Sequence, residues 1–340
     1  MKCKLCLENE ANKKNTHYLT DSIIRLALNE GGSNTREKGL YFDLSNNKGG
    51  VEFNFQRNTN SEEIRKEINR ELTDEEIENA KEIPFSVDYI FCSTCEDKFT
   101  NIEFHFTENH LYKFRSVDLD EIEEIKIQET EASRLFFILQ IWRTAESVET
   151  FNIDNSLMEI MRMAILNYPS HDLQELKSIP LLVTYLQTKG DDINYTQNLV
   201  GYSSDMCPAI VLMNDFVIQF FDGESSICFN ELHGLNKKEK FHENINLNET
   251  EFIIPILDDK QRISFNVKFI LESKFEALIN MCKSNFKQMF YLVYRYDPPT
   301  ELIQEYVKYL VNSDLSLIEK YTNMQLKNKT IEFIMNLVRQ

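Results

Sequence analysis

The chain has 340 residues, 42% of them hydrophobic and 27% charged, which suits an ordinary soluble globular protein with room for two domains. Its formal net charge of −18 argues against indiscriminate nucleic-acid binding, which rests on neutralising phosphates. Residues 1–60 carry a net charge of +2 and the rest −20, so any nucleic-acid contact must be confined to a focused site, and the acidic body is expected to serve solubility or to meet a basic protein partner.

The N-terminus, MKCKLC, lacks the apolar stretch and small-residue cleavage site of a secretory signal. The longest strongly apolar run, Leu135 to Trp142, is eight residues, far short of the roughly 20 that span a bilayer. A cytoplasmic protein without a membrane segment is expected. Seven cysteines do not form a complete set of disulfides, and in a reducing compartment paired cysteines bind metal or do redox work.

GLYFDLS and VEFNFQR alternate apolar and polar residues around NNKGG, which predicts a β-hairpin. From Ser61 the texture becomes charged and helical, with a Thr73-x-x-Glu76 capping box and Pro84 beyond its end. FSVDYIFC reads as a strand. CEDKFTNIEFHF continues as a helix with Phe99, Ile102 and Phe106 on one face. The acidic stretch 116–130 reads as a connector. EASRLFFILQIWRTAESV is wide and apolar enough for a buried helix, with Arg143 at its rim, and SLMEIMRMAILNY is another. LLVTYLQ, AIVLMNDFVIQFF and EFIIPIL read as strands, with a turn or bulge at Asn214-Asp215. Ile263 to Tyr294 becomes helical, Asp297-Pro298-Pro299 breaks it, and two amphipathic helices follow, with a Ser316-x-x-Glu319 box near the second. The expected division is residues 1–115 and 116–340.

Two CxxC pairs stand out: Cys3/Cys6 and Cys92/Cys95, with 85 residues between Cys6 and Cys92. Four thiolates make the tetrahedron that Zn2+ favours, each pair closing a tight knuckle. A redox pair is the alternative, but neither CxxC sits in a βαβ context. Unrelated free thiols are a further alternative. Cys207, Cys228 and Cys282 lie in apolar segments and are expected as small buried hydrophobes.

Between the pairs lies NTHYLTDSIIR. CKLC, then His17-Tyr18-Leu19-Thr20, then FCSTCE resembles the HNH-type nucleases of the treble-clef, ββα-metal class, in particular a group of bacterial HNH-like proteins, over about residues 1–106. The resemblance implies an α+β chain: a zinc-stabilised treble-clef domain with an inserted hairpin and helix, followed by a larger mixed α+β regulatory or partner-binding domain. It implies structural Zn2+ on the four cysteines, His17 as general base, and Glu96 as ligand to Mg2+ or another divalent cation, with Glu103 seven residues on. The family's final His is Glu96 here. The positions of its orienting Asn hold Val87 and Asp88 here, so Asp88 is the candidate imidazole partner or metal ligand, with an exposed strand residue as the alternative. The implied activity is phosphodiester hydrolysis, with DNA as substrate and phage defence as setting. The rival expectation is a non-catalytic zinc-stabilised interaction module. Lys14 and Arg25 are candidate phosphate contacts, whereas His105 and His110 are not read as ligands.

Overall fold

The computed structural model describes residues 1–45, 52–169, 173–189, 199–205, 207–312 and 320–339. In chain order the first elements are β1 (Thr16–His17), α1 (Asp21–Leu28), β2 (Leu40–Asp43), β3 (Glu52–Phe55), α2 (Ser61–Ile68), α3 (Asp74–Asn79), β4 (Ser86–Val87) and α4 (Ser93–Phe106). A π-helical turn, Thr107–Leu111, runs straight into α5 (Tyr112–Arg115). Then come β5 (Glu124–Ile127), α6 (Thr130–Ser147), α7 (Asn155–Asn167), α8 (Gln174–Lys177), β6 (Leu181–Leu186), β7 (Leu199–Ser203), β8 (Ala209–Met213), β9 (Phe216–Phe220) and β10 (Phe252–Leu257). The chain closes with α9 (Asp259–Lys268), a second π-helical segment (Phe269–Phe275), α10 (Glu276–Tyr294), α11 (Thr300–Val311) and α12 (Asn323–Val338). The protein is therefore mixed α+β.

One eight-stranded sheet, in the order β3-β2-β7-β8-β9-β6-β10-β5, organises the molecule. Its pairs are antiparallel except β2/β7 and β6/β10. Strand alternation sends Leu181, Val183 and Tyr185 of β6 to one face and Leu186 to the other, and both faces are covered. That double burial explains why LLVTYL and FVIQF read as continuous apolar runs. α4, α6 and α7 cover one face, and α2 and α9 the other. The C-terminal helices α10, α11 and α12 enclose a separate small core around Phe286, Tyr306 and Ile334.

The expected hairpin is β2/β3, with Tyr41 opposite Asn54 and Phe42 opposite Phe53. Its turn lies outside the described residues, as does the expected Ser316 box. Rather than staying within an N-terminal head, the hairpin extends the large sheet through β7. Gly201 of β7 permits this approach, because a Cβ there would sit 2.7 Å from the Leu44 carbonyl carbon. The sheet and its main core thus cross the 115/116 division.

Three expectations are corrected. Residues 116–130 are more than a connector, since β5 pairs with β10 at the sheet edge. Cys207 and Cys228 are exposed, because they lie in connections rather than on strand faces; only Cys282 of the three is buried. Arg143 is buried rather than at a rim, and α6 is buried on every side because it lies between the sheet and other helices. Its other arginine, Arg134, is fully buried and satisfied by the Glu249 carboxylate and the carbonyls of Leu176 and Asn246. Among the described residues no helix is long and apolar enough to cross a membrane.

Candidate metal centre and adjoining cleft

The first knuckle is a tight loop. Cys3 N–H donates to the Asn9 carbonyl, Leu7 N–H returns to the Cys3 carbonyl, and Leu7 adopts a left-handed φ of 59°. The second knuckle is the start of α4, with Cys92 as its N-cap and the amides of Cys95 and Glu96 donating to the Cys92 carbonyl. Lys4 N–H bonds the Ile90 carbonyl, and Lys13 N–H that of Phe91, so the two loops are clamped together. β1 and β4 pair antiparallel just beyond, Thr16 opposite Val87 and His17 opposite Ser86.

This clamp brings the sulfurs of Cys3, Cys6, Cys92 and Cys95 within 4.8 Å of one another, and Cys6 and Cys92 are 3.9 Å apart. A Zn–S bond of about 2.3 Å in a tetrahedron puts sulfurs about 3.8 Å apart. Burial pushes the Cys3 and Cys95 thiols up, and Cys95 is raised further by crowding against Cys92 and Cys3. For Cys6 burial also opposes ionisation, but the amides of Asn9 and Glu8 and the neighbouring thiols outweigh it and bring it down to about 7. Four crowded thiols, three of them buried, are a donor set that a soft-ligand dication fits and zinc suits. Asn9 adds an N–H to Cys6 Sγ at 3.4 Å, a donor that favours a thiolate.

His17 leaves β1 with 16% of its side chain exposed. Burial, reinforced by the Arg36 guanidinium and opposed by Asp21, holds its imidazole down to about 4. Arg36 donates to His17 Nε2 and, at 2.6 Å, to the Asp21 carboxylate. His17 Nδ1 is buried with no hydrogen-bond partner. The ring lines an open cleft of about 560 Å3 that also gathers Arg36, Arg57, Lys81 and Glu82.

Glu96 lies in the first turn of α4, where a carboxylate complements the helix dipole. Burial raises its pKa against the pull of Arg143, and Glu103 raises it further, with Lys13 and the Thr16 hydroxyl opposing. Even so, Glu96 Oε1 and Thr16 Oγ1 are both buried without a hydrogen bond of good geometry. Glu103 faces inward and is taken up by Arg143 and by the Thr20 hydroxyl at 2.8 Å. Gln140 of α6 accepts from the Thr20 amide at 2.9 Å and from Arg143 at 3.3 Å, completing the buried network.

The other candidates are engaged elsewhere. Asp88 is exposed and accepts the Asn15 amide at 2.7 Å, pinning the turn before β1. Lys14 sits over the Tyr89 ring, 5.0 Å from its centroid. Arg25 pairs with Asn34 and faces Asp21. Sequence reasoning did not find Arg36, Arg57 or Lys81, which reach the cleft from separate segments and share no motif.

No protein-family model, curated protein or solved structure matches the chain. The functional reading therefore rests on the chemistry of these residues.

Proposed function

We propose that the protein is an HNH-like endonuclease that hydrolyses phosphodiester bonds, with DNA as substrate, and that residues around the four cysteines form a treble-clef frame for it. The observation that carries this reading is His17: an imidazole that is neutral at pH 7, with a lone pair to accept a proton, in a cleft lined by Arg36, Arg57 and Lys81, which are paired with Asp21, Glu37 and Glu78, and by Glu82. A general base beside a cluster of cations is what attack on a phosphate diester requires. An entering phosphate would take these cations over from their carboxylate partners.

In this reading Arg36 moves from His17 Nε2 to an entering phosphate, and the freed nitrogen accepts a proton from water. Asp21 keeps Arg36 within reach of both. Glu96 does not line the His17 cleft but lies beside Thr16, the residue before His17 in β1; its buried Oε1, without a hydrogen bond of good geometry, is the candidate ligand for a divalent cation such as Mg2+, which if bound would supply charge neutralisation. The thiolate centre fixes β1 against α4.

The rival reading, a zinc-stabilised interaction module without catalysis, draws on the capping of His17 Nε2 by Arg36 and on the burial of Glu96. Plasmid and single-stranded DNA incubated with zinc-loaded protein, with Mg2+ or Mn2+ or with EDTA, separate the two. The nuclease reading expects metal-dependent nicking that falls by about 10²–10⁴ in His17→Ala. A folded, zinc-loaded protein that cuts neither substrate counts against the nuclease reading and leaves the module, or an enzyme that requires its partner, as the reading to pursue.

A further inference from the structure

We propose that His105, His110 and Glu129 form a second metal site, built for a transition-metal dication such as Zn2+ and open on one side to a surface cleft. One ligand atom from each of the three lies within 4.8 Å of the others. Glu129 Oε2 is 2.7 Å from His105 Nε2 and 3.5 Å from His110 Nε2.

The backbone makes this arrangement. In a regular α-helix two residues five apart point about 140° away from each other and cannot share a ligand. Here α4 passes into the π-helical turn Thr107–Leu111, whose i→i+5 spacing stacks position 110 over position 105. Such turns concentrate at functional sites. The carboxylate comes from a different element, because Glu129 is the N-cap of α6. Its side chain makes no capping hydrogen bond to α6 and reaches the two imidazoles instead.

A second, independent observation points to a ligand. His110 is only 3% exposed, and its Nε2 faces the Glu129 carboxylate at 3.5 Å without a hydrogen bond of good geometry. A buried imidazole nitrogen that meets a carboxylate only at this distance is weakly satisfied, and a cation bound by both would satisfy the two together. His105 and Glu129 are partly exposed, and His105 lines a cleft of about 470 Å3 shared with Lys98, Phe104, Asn109 and Tyr168. A metal held there would keep a coordination position for water or a small anionic ligand. Two imidazoles and one carboxylate favour zinc, cobalt, nickel or ferrous iron over Mg2+. With no sulfur in the donor set, the site is chemically distinct from the four-cysteine cluster.

One neighbour opposes the metal. Lys113 Nζ lies 3.5 Å from His110 Nδ1. A metal on Nε2 places the ring proton on Nδ1, so Lys113 must withdraw. Removing its charge should therefore tighten binding.

Full-length protein with its thiolate centre already loaded with zinc is titrated with Co2+, followed by calorimetry and visible absorption. The expected result is one further equivalent whose d–d bands carry no thiolate charge-transfer band. That equivalent is lost in His105→Ala and in Glu129→Gln and binds several-fold tighter in Lys113→Met. Circular dichroism checks that each variant is folded, which the partial exposure of His105 and Glu129 favours. Absence of a further equivalent, or its survival in both His105→Ala and Glu129→Gln, overturns the proposal.

Discussion

Arg143 of α6 donates to Glu103 of α4, so the helix that opens with the second cysteine knuckle is locked to a helix from the other side of the 115/116 division. The Thr20 hydroxyl joins the same carboxylate, tying in the segment just after β1. Around this polar core the rings of Phe106 and Phe136 stack with centroids 4.0 Å apart, and Trp142 packs against Phe91 and Phe99. The knuckle region is thus built against α6 and does not stand alone.

Breaking that lock should be costly. Arg143 is 3% exposed and Glu103 21%, so Arg143→Met leaves a largely buried carboxylate without its cation. A loss of about 3–5 kcal/mol is expected, measured as a fall in the urea midpoint at unchanged slope. Adding Glu103→Gln to Arg143→Met should recover part of it, because the second substitution removes the stranded charge.

A fragment of residues 1–115 should fail to fold. It would lack β7, the partner of β2, and it would expose Phe99, Ile102 and Phe106, which the body covers. Heteronuclear NMR of the zinc-supplemented fragment should show the narrow amide dispersion of an unfolded chain. Dispersed, native-like spectra would establish an autonomous head.

Metal removal should unfold the knuckle region before the rest. The native protein should carry tightly held zinc by elemental analysis, and Cys92→Ser or a strong chelator should release it. Hydrogen exchange should then rise first in residues 1–18 and 85–106, whose mutual hydrogen bonds the thiolate cluster clamps.

The pH dependence of stability should carry the imprint of His17. Its native pKa, about 4, lies below the ordinary 6.5, so between those values the unfolded chain binds a proton that the native protein does not. Stability should therefore fall as pH drops from 6.5 towards 4 and level off below, by about 3 kcal/mol in all. The difference between wild type and His17→Asn across that window, from parallel denaturant titrations, should show this slope. If His17 is the base, cleavage should show no loss attributable to its protonation until the pH approaches 4.

Arg70 offers a test between α2 and α3. It forms a two-pronged pair with Glu76 and donates to the Lys320 carbonyl at 2.6 Å, tying α3 to the C-terminal region. Arg70→Ala should cost about 2 kcal/mol by chemical denaturation, because charge-assisted hydrogen bonds are lost together.

The sequence alone determined what depends on neighbours along the chain. Each CxxC is a local knuckle, so both pairs were legible, although their meeting across 85 residues was only an expectation until the backbone bonds at Lys4 and Lys13 brought them together. The Thr73–Glu76 box and the β2/β3 hairpin were equally legible, because their signals span a few residues. Tertiary structure decided the rest. Only the fold could bury Arg143, since its partners, Glu103 and Thr20, come from distant segments. Only a π-helical turn could bring His105 and His110 to one carboxylate, because their spacing fits no regular helix face. Only the enclosure of β1 could hold His17 neutral beside Arg36, because desolvation is a property of surroundings and leaves no mark in the residues next to it along the chain.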